Sequence, residues 1–191
     1  MRQEVAKGLP LVRSELAARG YRGNTLSEMA KSGRLYRVAR GVYAPVEGGA
    51  SGLFDYELAA KAVPDGVFTL ASALRLHDLT DENPHRMTMA IPSDAHAPKV
   101  ALPLVFVYMK RELLAGDVIL MNTERVPIKV FSLERTLVEC FKARNKIGVS
   151  TAVAALREAA DMKRIDYAVL GREMARCRMM RVMAPYVEGL A

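Results

Sequence analysis

The sequence predicts an α+β protein: an N-terminal winged helix-turn-helix followed by a small mixed sheet packed with C-terminal helices. Three observations carry that prediction. Two short stretches of helical periodicity precede a glycine-centred pair of strand formers within residues 9–44. Between residues 86 and 131, short apolar runs are punctuated by Pro, Gly, Asp and Asn, as in the strands of a small sheet. From Leu133 onward the apolar spacing returns to that of helices.

Leu9-Pro10-Leu11-Val12 reads as the apolar entry to a helix over residues 13–19, with Leu16 and Ala17 facing inward and Gly20 supplying a left-handed terminus. After the turn Tyr21-Arg22-Gly23, Asn24 is the expected N-cap of a second helix. There Leu26, Met29 and Ala30 recur at i, i+3 and i+4 as one apolar stripe, which turns Thr25, Ser27, Glu28 and Lys31 outward. Ser32-Gly33 stops this helix. Residues 34–44 are rich in strand formers, and Gly41 permits a positive φ at a hairpin turn, so the segment reads as a wing. The tract PVEGGASG, residues 45–52, has the composition of a linker, which places one domain at residues 1–48 and a second at 53–191.

In the second part, residues 53–63 read as a helix ended by Pro64-Asp65-Gly66, and residues 69–79 as another with Leu70, Ala73, Leu74 and His77 on one side. Strands are expected over 86–91, 104–109, 118–121 and 126–131. Helices are expected over 133–143, 149–161, 167–179 and 182–190, the first with Ser132 as N-cap and Arg135 paired with a carboxylate of the sheet.

Length and composition narrow the function. The chain has 191 residues, 51% of them hydrophobic, enough to close one large core or two small ones. Its net charge of +7 is unevenly spread: residues 1–48 carry +5, residues 49–131 carry −2 and residues 132–191 carry +4, so both ends favour a polyanion. The cysteines, Cys140 and Cys177, lie in expected helices without CxxC spacing, which argues against a disulfide framework or zinc site. No signal peptide is apparent and no stretch approaches the roughly 20 apolar residues that span a bilayer. A cytoplasmic protein with no membrane partner is expected. Because Trp is absent, a single-strand stacking surface is disfavoured and duplex is the better guess.

The order LPLVRSEL, TLSEMAKSGRLYRVARGVYAP resembles the N-terminal winged helix of the AbiEi family. The pattern is carried by Lys31-Ser32-Gly33, Leu35 and Arg40-Gly41-Val42-Tyr43. The likeness continues with TLASALRLHDLT, where residues 71–80 are similar to a family segment, and with VFSLERTLVECFKAR at residues 130–144. Two positions depart from the pattern: Asp78 follows His77 where Gly is common, and Glu139 stands where Asp is expected. The resemblance implies the antitoxin of a type IV toxin-antitoxin system that represses its own operon by binding inverted repeats in double-stranded DNA. The implied partner is a cognate nucleotidyltransferase-like toxin, with or without stable binding, and the second domain would carry the antitoxin activity.

A recognition helix needs short outward side chains and basic flanks to enter the major groove. Asn24 and Thr25 suit base edges or a phosphate, with Ser27 and Lys31 beside them. Glu28 suits a cytosine amino group or an ion pair with Arg22 or Lys31. Arg34, Arg37 and Arg40 surround the wing, where guanidinium groups bind phosphates or enter the minor groove, and Arg22 lies near the backbone path. The same pattern also fits a winged helix that docks onto another protein without operator binding. His77, His85 and His96 lie near Asp78, Asp81, Glu82 and Asp94, which raises a metal-dependent hydrolase as a third reading. Yet no i, i+4 ligand pair is present, and His77 sits on an apolar helix face. No nucleophile-base pair, glycine-rich phosphate loop or paired catalytic carboxylates stands out, so neither an enzyme nor a cofactor is expected. The basic residues of the last helices read as a solvated face or a second polyanion surface. Met174, Met179, Met180 and Met183 suit core filling or a partner surface equally.

Overall fold

A computed structural model of the chain describes residues 8–21, 24–46 and 52–190. The N-terminal part is built on a three-stranded antiparallel sheet of β1 (Leu11–Val12), β2 (Leu35–Ala39) and β3 (Val42–Pro45), in the order β1-β3-β2. Helices α1 (Arg13–Ala18) and α2 (Asn24–Lys31) cover one face of it. Leu11 and Val12 thus do not enter the first helix as the sequence suggested. They pair with Tyr43 and Val42 along the open edge of the hairpin, and the Arg13 N–H extends the pairing to the Gly41 carbonyl at 2.8 Å. Leu16 is buried as expected, whereas Ala17 is exposed, because the two-strand hairpin and α2 fill only one side of so short a helix. Asn24 is the first residue of α2 rather than its cap. The expected partner Arg22 and most of the expected linker, residues 47–51, lie outside the described residues.

Both N-terminal helices end in the same closure. The Tyr21 N–H reaches the Leu16 carbonyl and the Arg34 N–H the Met29 carbonyl, each over a left-handed glycine, Gly20 at φ +82° and Gly33 at φ +73°. The same closure recurs on residues that carry a Cβ. Asp78 takes φ +56° while the Leu79 N–H bonds the Leu74 carbonyl, and Lys163 takes φ +53° while the Arg164 N–H bonds the Ala159 carbonyl. The Asp that departs from the family pattern therefore occupies a left-handed position, where Gly is the unstrained choice and Asp among the best tolerated alternatives.

The hairpin is irregular in one informative place. Arg37 pairs with Tyr43 and Ala39 with Val42, leaving Val38 as an extra residue, a β-bulge. Leu35 faces α1 and α2, but beyond the bulge both Val38 and Ala39 lie on the opposite face with Val42 and Ala44. That face is not solvated. It packs on Phe54 and Leu58 of α3 (Phe54–Ala62) and on Val100 and Leu102, so apolar contacts cross the boundary expected at residues 45–52.

The second sheet has five strands, β4 (Val67–Phe68), β5 (Met87–Pro92), β6 (Leu104–Met109), β7 (Val118–Met121) and β8 (Ile128–Phe131), in the order β6-β5-β4-β8-β7. Parallel pairs β5/β6 and β4/β8 join antiparallel pairs β4/β5 and β7/β8 into a mixed sheet. Its centre, β4, is absent from the sequence-based assignment: two residues are too few to show a period, and only their complete burial between β5 and β8 makes them a strand. Met89, Ile91, Phe68, Ile128 and Val130 line one sheet face against Tyr56, Ala59 and Val63 of α3. The remaining helices are α4 (Leu70–Leu76), α5 (Arg111–Leu114), α6 (Leu133–Lys142), α7 (Arg144–Ile147), α8 (Val149–Asp161), α9 (Tyr167–Arg176) and α10 (Met180–Glu188). A largely helical core joins α4, α6, α8, α9 and α10, and Met174, Met179 and Met183 are buried in it while Met180 is exposed.

Ser132 caps α6 by accepting from the Arg135 N–H at 3.3 Å. Arg135 itself, fully buried, does not pair with a carboxylate of the sheet. Its guanidinium lies 3.1 Å from Glu173 of α9 and 2.5 Å from Glu139 one turn along its own helix, and stacks over the Phe131 ring at 5.3 Å. The Nη2 contact to Glu139 is ionic rather than a directed hydrogen bond. Glu139, the second departure from the family pattern, is long enough to make this i, i+4 contact. Removing either partner of such a buried group costs about 3–5 kcal/mol, because the other charge is left uncompensated. His77 is also a core residue: 3% exposed, it donates from Nε2 to the Phe131 carbonyl at 2.8 Å. Burial pushes its pKa below the ordinary 6.5, outweighing the pull of that hydrogen bond.

Two outcomes follow for denaturation experiments. Lys163→Gly relieves a left-handed Cβ and raises the unfolding free energy by up to about 1 kcal/mol, whereas Gly33→Ala, with no atom near its added Cβ, lowers it by about 1 kcal/mol through backbone strain alone. Because native His77 resists the proton that the unfolded chain accepts, its contribution is complete above 6.5 and declines as pH falls below it. His77→Gln keeps a donor for Phe131 but does not titrate. Its urea midpoint should fall less than that of the parent between about pH 7.5 and 5.5; an equal fall would refute the assignment.

Candidate nucleic-acid interface

Helix α2 is two turns long, about 12 Å at 1.5 Å per residue. Leu26 anchors it at 2% exposure against Leu11, Leu16, Leu35 and Tyr43, with Met29 and Ala30 half-buried alongside. Asn24, Glu28 and Lys31, at i, i+4 and i+7, are exposed on the other side, and Thr25 and Ser27 are partly covered. The helix thus stands out from its neighbours, as a groove-reading element must. Among the described residues Glu28 makes no ion pair with Lys31, and its side chain is exposed on that face.

The wing arginines divide. Arg37 and Arg40, both exposed, border a cleft of about 610 Å3 between the hairpin and helices α1 and α2. Its other polar walls are Arg13, Ser14, Ser27 and Tyr43, and among the described residues no carboxylate lines it. Arg37 is steadied by a hydrogen bond from Nε to the Ala39 carbonyl at 3.2 Å, a contact the bulge makes possible by bringing that carbonyl round. The turn that presents Arg40 is closed by Gly41 at φ +79°. Arg34 is elsewhere. It sits at the open end of the hairpin, where its carbonyl accepts from the Val46 N–H, about 20 Å along the strand from Arg40 at 3.3 Å per residue. There it neighbours Lys31 across the end of α2. Of the sequence-assigned cations, Arg37 and Arg40 meet at the cleft, Lys31 and Arg34 lie at the C-terminal end of α2 and just beyond it, and Arg22 lies outside the described residues.

Arg13 was not singled out from the sequence, and the structure adds it. Its Nη2 donates to Ser27 Oγ at 3.2 Å and to Tyr43 Oη at 3.4 Å, which holds the guanidinium across the cleft beside Arg37 and Arg40. The signal was the strand assignment of Leu11–Val12: once that strand is placed next to the wing, the residue after it must open onto the wing's face.

The histidine segment does not converge. His77 is in the core, while His85 and His96 are exposed on loops, and among the described residues no group of His, Cys, Asp or Glu is arranged to hold a metal ion. Among the same residues no helix is long and apolar enough to cross a membrane.

An exposed short helix, an arginine-bearing hairpin and the sheet beneath them define the N-terminal part as a winged helix-turn-helix. Residues 3–46 match the family described as "Transcriptional regulator, AbiEi antitoxin", so this segment is similar to the regulators of that family. A crystal structure of the RV2827C protein from Mycobacterium tuberculosis is similar over 91% of this chain and 69% of that one, with a TM-score of 0.63 and 16% sequence identity, a likeness of fold. No curated protein matches by sequence.

Proposed function

We propose that the chain is a transcriptional repressor that binds duplex DNA through α2 and the wing, and that it autoregulates its operon as the antitoxin of a type IV toxin-antitoxin system. The observation that carries this reading is the cleft, lined by no carboxylate among the described residues, in which Arg13, Arg37 and Arg40 converge beside the exposed face of α2. Such a surface supplies both parts of duplex recognition. Guanidinium groups on the wing bind phosphates or enter the minor groove, fixing register without reading sequence. Asn24, Thr25 and Glu28 reach base edges in a major groove about 12 Å wide, and Lys31 with Arg34 holds the phosphates on the far side. The AbiEi match over residues 3–46 supports the regulatory role. By the same likeness the operator would contain inverted repeats, the second half would carry antitoxin activity, and the toxin would be a nucleotidyltransferase-like protein encoded alongside.

A titration of the protein with DNA from upstream of its own gene tests the reading. Binding should weaken steeply with salt, and Arg37→Ala with Arg40→Ala should lower the slope of log affinity against log salt by about 1.8, since each lost phosphate contact removes about 0.9. That loss should be the same on a scrambled duplex. Glu28→Ala or Asn24→Ala should instead narrow the preference for upstream over scrambled DNA. Absence of binding at low salt would overturn the proposal in favour of a protein-docking module.

A further inference from the structure

The wing has a second flank. Arg37 and Arg40 also border a groove of about 690 Å3 on the other side of the hairpin, whose far wall is formed by Pro98, Lys99, Val100 and Ala101 from the second half of the chain. Among the described residues no carboxylate lines this groove either, and Lys99 is exposed. The wall is fixed in place. The Ala101 N–H donates to the carbonyl of Val38, the bulged residue, at 2.7 Å, and Val100 and Leu102 pack against the core beneath the wing. Lys99 is therefore positioned by the backbone on either side of it.

We propose that this groove seats the sugar–phosphate backbone of the same duplex beyond the wing, with Lys99 as a phosphate contact supplied from outside the winged helix. The inference rests on the reading of the winged helix as a duplex binder. Two observations favour nucleic acid as the occupant. The cations on its rim, Arg37 and Arg40, are shared with the cleft facing α1 and α2, so a duplex held by the wing continues into this groove without a change of surface. The floor between the rims is apolar, which suits the C–H edges of deoxyribose, while the rim charges suit the phosphates on either side. The wing then acts as a ridge gripped on both flanks rather than as a free tip.

The test compares Lys99→Gln with Lys163→Gln, an exposed cation at the C-terminal end of α8 that lines neither cleft, and with Arg40→Ala, in anisotropy titrations at several salt concentrations. Lys99→Gln should lower the salt slope by about 0.9 on upstream and scrambled duplex alike, and Lys163→Gln should leave it unchanged. Thermal unfolding of Lys99→Gln should match the parent. The inference is overturned if Arg40→Ala lowers the slope and Lys99→Gln does not, which would assign the groove to another partner. It is equally overturned if Lys163→Gln lowers the slope as much, which would reduce the effect to net charge. If the parent binds no duplex, the reading beneath it has failed instead, and the inference falls with it.

Discussion

The arrangement depends on what happens to the inner face of a three-stranded sheet too small to stand alone. Its helix-covered face has a core of five buried side chains, Leu11, Leu16, Leu26, Leu35 and Tyr43. The other face presents Val38, Ala39, Val42 and Ala44, and these are buried only because α3 and the segment at residues 100–102 lie against them. Each fully buried side chain of the Val or Leu class contributes about 1.5–3 kcal/mol, so the second face adds stabilisation of the same order as the first. The bulge at Val38 makes this possible. In a regular strand Ala39 would point to the helices; with one residue added, both Val38 and Ala39 turn to the second half of the chain, and Arg37 and Arg40 are left outside. The same device that attaches the wing also aims its arginines.

That attachment limits how the wing moves. A hairpin fastened on its inner face, with the Val38 carbonyl held by Ala101 and Glu15 of α1 paired with Lys61 of α3 at 2.6 Å, keeps a fixed attitude toward the five-stranded sheet. The exposed Glu15–Lys61 pair adds little energy by itself. The apolar interface holds the geometry, and the polar contacts set its register. In the helical layer Arg135 plays an analogous part between α6 and α9, since its fork meets Glu139 and Glu173 in only one relative placement of the two helices.

The legibility of this fold from sequence follows from how local each cause is. Helix α2 was readable because its stripe, its Ser32-Gly33 closure and its outward polar face all lie within ten residues. The glycine turn of the wing was readable for the same reason, as was His77 on an apolar face. What escaped depends on partners distant in the chain. Leu11–Val12 is a strand only because residues 42 and 43 lie beside it, and β4 only because β5 and β8 close around two residues. Arg13 belongs to the cationic cleft through that same strand. Arg135 finds Glu173 from α9, 38 positions away, which no local pattern announces. The expected linker composition likewise could not reveal that apolar contacts bridge it.

These placements also explain what the AbiEi motif records. In Arg40-Gly41-Val42-Tyr43, Gly41 closes the turn at a positive φ, Val42 joins the core shared with α3, and Tyr43 joins the core beneath α1 and α2 while its hydroxyl receives Arg13. In Lys31-Ser32-Gly33, the Ser32 hydroxyl donates to the Met29 carbonyl and Gly33 ends the helix, with Leu35 buried two residues on. Of these residues only Lys31 and Arg40 extend a charge into solvent. The motif therefore specifies a shape, with two cations left on its surface. The outward side of α2, at Asn24, Thr25 and Glu28, lies outside the motif, so the same framework is compatible with other side chains at those positions.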